Sequence, residues 1–284
     1  MKKGVYGLFK LLNISYKDKM KKNKMLIFIP GYNCEKQITR VLDSIDEEIL
    51  EYVTEIIFVN NRSTDNTEKV VLQYKETHKE KPLKIFRNDD NYNLGGSHKV
   101  AFNYAIKNNF DYVIVLHGDD QGNVKDILPY LKNGEYKKHD CLLGARFMKK
   151  SKLEGYSKFR TFGNRVYNIL FSIVVHKKIY DLGSGLNLYD VNMLKDNFYH
   201  KFPDRLTFNY CMILATNYYK QDIAFFPILW KESDQVSNVK LTSQAFNVLG
   251  MLVKYMFNHK FILTELREKN IDEYTSKEIT DEKE

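Results

Sequence analysis

Five short apolar runs, separated by segments with helical periodicity, constrain this chain more than any other feature. "MLIFI" (25–29), "EIIFV" (55–59), "LKIF" (83–86), "YVIVL" (112–116) and "CLLG" (141–144) are rich in β-formers and do not alternate with polar residues. A strand without alternation is buried on both faces. Between the runs, Ile38, Val41, Leu42 and Ile45 recur at helical spacing, as do Val70, Val71 and Tyr74 in "STDNTEKVVLQYKETH", where Ser63 or Thr64 is the expected N-cap. "NLGGSHKVAFNYAIKNN" turns through Gly95 and Gly96 into a further helix. Strands alternating with helices predict an α/β fold, a parallel sheet covered on both faces.

In such sheets ligands bind beyond the carboxyl ends of the strands. The residues expected there are "PGYNCEK", "NNRSTDNT", "NDDNYNLGGS" and "HGDDQGN". All four loops are polar, and their convergence predicts a site for a polar ligand. The glycines of "NLGGS" open a helix and would present backbone N–H groups to a phosphate or hydroxyl.

Past residue 149 the pattern changes. "KFRTFGNRVYNILFSIVV" reads as a basic-aromatic helix, "DLGSGLNLYD" as a Gly-rich turn into a strand, and "AFFPILW" (224–230) as a buried strand. From Leu241, "LTSQAFNVLGMLVKYMFNHKFILTELREK" reads as one or two amphipathic helices, and the tail from Asn270 as acidic and frayed. With 284 residues and no low-complexity linker, one compact domain is expected, its second half built onto the first sheet.

The net charge of +8 is concentrated at the start, where eight lysines fall within 24 residues. Anionic partners follow: phosphorylated small molecules or an anionic membrane, but not nucleic acid, since no recognition motif for it is present. "MKKGVYGLFKLLNIS" lacks the cleavage site of a signal peptide; it reads either as a basic amphipathic helix on a membrane surface or as a helix packed on its own domain. Cys34, Cys141 and Cys211 have neither zinc spacing nor a disulfide framework, which favours a reducing compartment. No 18-residue apolar run is present.

The order "IPGYNCEKQI", "EIIFVNNRSTDNTEKVV", "NYNLGGSHKVAFNYAI", "YVIVLHGDDQGN", "CLLGARF", "DLGSGLNLYD" resembles the family 2 glycosyltransferases of GT-A fold, and most of all their polyprenyl-phosphate and dolichyl-phosphate sugar transferase branch. The resemblance spans roughly residues 25 to 240. It implies a GT-A (Rossmann-like) mostly parallel sheet flanked by helices, and inverting transfer from a nucleotide-sugar with Mg²⁺ or Mn²⁺ on the diphosphate. The implied acceptor is a cell-surface glycan or a lipid-linked phosphate at the cytoplasmic face of the membrane. The implied organisation is a basic segment (1–24), a GT-A domain (25–240, with a nucleotide-sugar half at 25–148 and an acceptor half at 149–240), and a helical segment with acidic tail (241–284).

Carried onto this sequence, Pro30 and Tyr32 would line base and ribose. Asn61 stands where the family has an acid that receives a hydrogen bond from the base; its carbonyl oxygen would accept and its amide donate, admitting bases besides uracil. The family's Asp-x-Asp becomes His117, Gly118, Asp119, followed by Gln121. Asp119 and Gln121 would hold the metal, since Mg²⁺ binds few protein groups. His117 would either add a nitrogen ligand, favouring Mn²⁺, or hydrogen-bond the donor. Asp120 is expected to point away. Arg146 matches an arginine for acceptor phosphate, with Arg160 and Arg165 following on the basic helix. Asp181 and Ser184 match the region lining donor sugar and acceptor. Ser237 and Lys240 match a late loop, with Lys240 closing over the diphosphate. A hydroxyl acceptor requires a general base, for which Asp181 and Asp204 are the candidates; a phosphate acceptor requires none.

Two other readings differ in class. A sugar-phosphate nucleotidyltransferase needs a Gly-rich, Arg-containing loop after the first strand, which "IPGYNCEK" does not supply. A nucleotide-sugar-binding protein without turnover is the reading that the changes at 60, 61 and 117 leave open.

Overall fold

A computed structural model describes residues 22–233, 241–269 and 271–280. Among the described residues, ten strands occupy Met25–Gly31 (β1), Glu55–Asn60 (β2), Leu83–Asn88 (β3), Tyr112–Leu116 (β4), Cys141–Ala145 (β5), Lys152–Glu154 (β6), Leu186–Asp190 (β7), Ile223–Pro227 (β8), Leu229–Lys231 (β9) and Ser276–Glu278 (β10). The α-helices are Ile38–Ser44 (α1), Glu47–Leu50 (α2), Thr67–Thr77 (α3), Asn93–Lys107 (α4), Leu128–Lys132 (α5), Lys158–Val175 (α6), Phe208–Tyr218 (α7) and Leu241–Phe257 (α8).

Eight strands form one sheet in the order β10-β3-β2-β1-β4-β7-β5-β8. β3, β2, β1 and β4 run parallel, while β7 is antiparallel to both its neighbours and β10 is antiparallel to β3. Every residue of β1 is buried. Leu26 and Phe28 enter the core beneath α4, α6, α7 and α8, while Met25, Ile27 and Ile29 enter the core beneath α1 and α3. Period-two geometry sends neighbours to opposite faces, and covering both faces is what requires the unbroken apolar run.

The chain steps outward from β1 to β2 and β3, then returns to place β4 on the other side of β1. The carboxyl ends of β1 and β4 thus flank a topological switch point, where open sheets of this kind hold their ligands. The amide of Gly118 donates to the carbonyl of Pro30 across that point (3.1 Å).

Two expectations need correction. α3 begins at Thr67, so neither Ser63 nor Thr64 caps it. The N-cap is Asn66, whose side chain makes no capping bond; Asp65 Oδ1 instead accepts from the amide (3.0 Å) and hydroxyl (2.6 Å) of Thr67. The acidic tail is also more ordered than its charge suggests: Ser276–Glu278 pairs with Phe86–Asn88 and covers the edge of β3. The basic stretch through residue 21 lies outside the described residues. No described helix is long and apolar enough to cross a membrane.

Candidate active site

A cleft of about 1030 Å³ opens at the switch point. One wall comes from the loops after β1, β2 and β4, the other from α6 and the segments around Leu182, Tyr210 and Trp230.

The first two loops are laced together. Asn33, at φ 51°, sits in the left-handed region that asparagine tolerates. Its amide donates to Ser63 Oγ (3.0 Å) and its Oδ1 accepts from the amide of Thr64 (2.8 Å). Glu35 accepts from the amide and side chain of Asn66, and Asp65 accepts from the amide of Glu35. Pro30 and half-exposed Tyr32 line the cleft beside this lattice. Burial pushes the thiol of neighbouring Cys34 up to about 12, so it stays protonated.

Asn61 also lines the cleft, but its side chain is committed to protein partners. Oδ1 accepts from Asn88 Nδ2 (3.0 Å) and the amide of Tyr92 (2.9 Å), and Nδ2 donates to Asn91 Oδ1 (2.9 Å). Both acceptor sites of the carbonyl are filled. The expected acceptor for a base is therefore the post that holds the Asn91 loop in place. The loop after β3 brings a second correction. Gly95 and Gly96 lie inside the first turn of α4, and both amides donate to the carbonyl of Asp204 (2.6 and 3.3 Å), not to the cleft. A Cβ at Gly95 would meet the Pro203 oxygen at 2.5 Å, so close packing is what requires glycine there.

At the end of β4, His117, Asp119 and Gln121 all line the cleft. The His117 amide donates to the carbonyl of Gly185 (2.8 Å), and the ring lies where a Cβ on Gly185 would come within 2.9 Å of it. Burial, and then the Arg146 charge, push the His117 pKa down to about 4, so the ring is neutral at pH 7. Its Nε2 is shielded from solvent and has no partner among the described residues. Asp119 Oδ1 accepts from the Gln121 amide (3.3 Å). Asp120, at φ 58°, turns to Arg40 Nε (2.5 Å), as expected for the neighbour that points away.

Among the described residues no group of three or more His, Cys, Asp or Glu could hold a metal ion by itself. The donor set at the end of β4 is one carboxylate, one amide and one neutral imidazole with an unpartnered nitrogen. That set fits an ion that takes most of its oxygens from a diphosphate, and does not fit an all-protein cage.

Across the cleft, Arg146 is held in a fixed orientation. Nε donates to Asp181 Oδ2 (2.7 Å), Nη2 to Asp181 Oδ1 (2.7 Å) and to the Gly183 carbonyl (3.0 Å). Its guanidinium carbon lies 4.9 Å from the Trp230 ring centroid. The two donors on Nη1 make no bond among the described residues. Arg160 Nη1 contacts both oxygens of Glu232 (2.8 Å each) and stacks over Tyr156 at 4.5 Å.

Four predicted residues do not reach the cleft. Asp181 is 2% exposed and buried behind Arg146. Ser184 donates to the carbonyl of Leu186 (3.1 Å) inside the protein. Asp204 is paired with the fully buried Lys99 (2.7 Å) and accepts from the Tyr274 hydroxyl (2.7 Å). Arg165 is exposed on α6, outside the lining. Neither candidate base therefore offers its carboxylate to a substrate. Ser237 and Lys240 lie outside the described residues.

Sequence reading missed Tyr156, Asn209, Tyr210 and Trp230, which line the wall opposite the loops after β1, β2 and β4. Trp230 Nε1 and Asn209 Oδ1 are buried and lack partners among the described residues, as does His117 Nε2. Three orphaned polar atoms on the walls of one cleft are what a bound polar ligand would satisfy.

The profile of "Glycosyl transferase family 2" matches residues 26–198. An uncharacterized protein of Methanocaldococcus jannaschii is 24% identical over 237 residues, covering 82% of this chain and 99% of its own. A dolichyl-phosphate beta-glucosyltransferase of Trichomonas vaginalis is 22% identical over 271 residues, covering 87% and 79%. Among solved structures, glucosyl-3-phosphoglycerate synthase from Mycobacterium tuberculosis, in complex with Mn²⁺, UDP-Glc and phosphoglyceric acid, superposes with a TM-score of 0.58. It is 14% identical, with 83% of this chain and 80% of that one covered. The profile match takes in β1 through β7, including the loops after β1, β2 and β4 that wall the cleft, so the chain belongs to glycosyl transferase family 2 and is a glycosyltransferase.

Proposed function

We propose that this enzyme inverts the anomeric centre of a nucleotide-diphosphate sugar while moving the sugar to a lipid-linked phosphate at the cytoplasmic face of the membrane. The observation that carries the acceptor is the state of the cleft carboxylates. Asp65 and Glu35 bind loop backbone, Glu232 is paired with Arg160, Asp119 lies at the donor end, and Asp181 and Asp204 are turned inward. A hydroxyl acceptor needs a carboxylate to take its proton, whereas a phosphate arrives ionised. The likeness to a dolichyl-phosphate beta-glucosyltransferase supports the same class.

In this reading Pro30 and Tyr32 flank the nucleotide, and Asn61 holds the Asn91 loop against it. Asp119, with Gln121 and His117 Nε2, would hold Mg²⁺ or Mn²⁺, which supplies positive charge to the departing diphosphate. A structural neighbour was solved with Mn²⁺ and UDP-Glc, which supports that choice. Arg146 keeps Nη1 directed by its Asp181 clamp and, with Arg160, receives the acceptor phosphate. Trp230 Nε1 and Asn209 Oδ1 offer one donor and one acceptor to sugar hydroxyls.

The test is transfer from a panel of UDP-, GDP- and CDP-sugars, with Mn²⁺, to a polyprenyl phosphate and to the corresponding alcohol. Transfer to the phosphate alone is expected. Transfer to the alcohol at equal rate would overturn the acceptor assignment. Asp119→Asn should cost about a hundredfold in turnover, about 3 kcal/mol of transition-state stabilisation, without loss of fold. Full activity of that variant in chelator would overturn the metal assignment.

A further inference from the structure

Two helices beside the cleft show large apolar side chains to solvent in a regular pattern. On α6 these are Phe159, Phe162, Val166, Ile169 and Ile173, exposed by 78, 68, 37, 59 and 61%. Their spacing of three and four residues makes one continuous stripe. α6 buries its opposite side, with Asn168, Phe171 and Val175 facing inward. α8 repeats the arrangement: Val248, Leu252 and Tyr255 are buried, while Phe246, Leu249, Val253, Met256 and Phe257 are exposed, the two phenylalanines by 75 and 80%. The two helices touch. Isolated exposed apolar residues need no explanation, but ten on adjacent helices do.

The charge on these helices says what covers them. Neither "KFRTFGNRVYNILFSIVV" nor "LTSQAFNVLGMLVKYMF" contains a single acid, in a chain that has 36. Their charged residues are Lys158, Arg160, Arg165 and Lys254, and Lys158, Arg165 and Lys254 are exposed. A second copy packed on this face would set these cations against their own kind, with no carboxylate on either helix to pair with them. An anionic lipid surface complements both features, taking phenylalanines into its boundary and basic side chains at its headgroups. The face also continues into the cleft, whose lining includes Phe159, Gly163, Asn164 and Tyr167 of α6, Val248 of α8, and Leu206, itself 41% exposed.

We infer that the exposed face of α6 and α8 docks in the plane of an anionic bilayer and holds the mouth of the cleft at the lipid boundary. This rests on the membrane-side reading of the acceptor above and deepens it. It assigns the surface that meets the lipid to the acceptor half, and gives a lipid-borne phosphate a route into the cleft along apolar side chains.

Flotation of the full-length chain with phosphatidylcholine vesicles, with and without phosphatidylglycerol, tests this without any donor or acceptor. Binding is expected only with phosphatidylglycerol. Phe162→Asp combined with Ile173→Asp, and separately Phe257→Asp, should each lower the bound fraction about tenfold or more. Lys158→Gln with Lys254→Gln should weaken binding and flatten its dependence on salt. These residues lie outside the cleft, so a retained thermal shift with UDP shows that the variants are folded. The inference falls if the wild type does not float at low salt. It falls equally if the apolar variants float as well as the wild type, which would move the attachment to the lysines of the first 24 residues. A wild-type dimer that the same substitutions dissolve would also overturn it, by showing a second copy to be the occupant. Failure of UDP, GDP and CDP alike to bind the wild type would instead strike the donor-site reading and leave the docking result standing.

Discussion

Asp181 accepts three hydrogen bonds from Arg146: one from its backbone amide (2.8 Å), one from Nε and one from Nη2. With 2% and 10% of their side chains exposed, the two form a buried ion pair whose parts are not separately dispensable. Asp181→Asn leaves the guanidinium without its counter-ion, and the expected loss of stability is about 3–5 kcal/mol. Denaturant unfolding measures it, and adding Arg146→Gln should restore part of the loss. A large fall in kcat with unchanged stability would instead return Asp181 to the role of a base.

Asp204 has the same kind of partner at a different place. Lys99 is fully buried, and its Nζ donates to Asp204 Oδ1, the Phe202 carbonyl (2.6 Å) and the Tyr274 hydroxyl (3.0 Å). Asp204→Asn should lower the melting temperature, while turnover well below it stays within about threefold of wild type. Turnover reduced a thousandfold in a folded protein would reinstate Asp204 in catalysis.

Asn61→Asp keeps the two hydrogen bonds that Oδ1 accepts and loses the one donated to Asn91. The ratio of UDP to CDP affinity, by titration calorimetry, is expected to stay within about twofold. A tenfold swing toward UDP would show that a carboxylate at this position reads the base.

His98 predicts an acid dependence of stability. It lies fully buried among Phe28, Phe102 and Phe208, with Nδ1 2.8 Å from the Leu94 carbonyl and Nε2 unpartnered among the described residues. Burial pushes its pKa down from 6.5 to about 3. Between those values the unfolded chain takes up the proton and the folded one does not. Stability therefore falls as pH drops below about 6.5, by up to about 1.4 kcal/mol per unit from this one group. His98→Leu should reduce the slope of unfolding free energy between pH 6 and pH 4 by about one proton. An unchanged slope would mean that the ring is already charged in the fold.

The sheet was readable because burial on both faces writes itself into consecutive residues, as in "MLIFI" and "YVIVL". β10 was not, because "SKE" earns its place by backbone pairing with β3 and by Tyr274, neither of which has a local signature. The wall of the cleft built from the loops after β1 and β4 was readable loop by loop, since Pro30, Tyr32, His117, Asp119 and Gln121 sit at strand ends. The opposite wall was harder. Trp230 lies in an apolar run that reads as core, and its bridge to Gly122 and its pairing with Leu153 have no mark in the sequence. Arg146 was visible but its partner's role was not, because a carboxylate in sequence carries no mark of which way it faces.

The edge of β3 has one further consequence. Lys99 and Tyr274 are 175 residues apart, and the strand covering β3 follows directly after Tyr274. At typical rates of about 5–20 residues per second, the ribosome leaves Lys99 without its phenol and β3 without its neighbour for roughly ten seconds or more. The half of the sheet that holds β1 to β4 is thus made first and finished last, so a shortened or blocked carboxyl terminus would be felt as misassembly of a region built long before it.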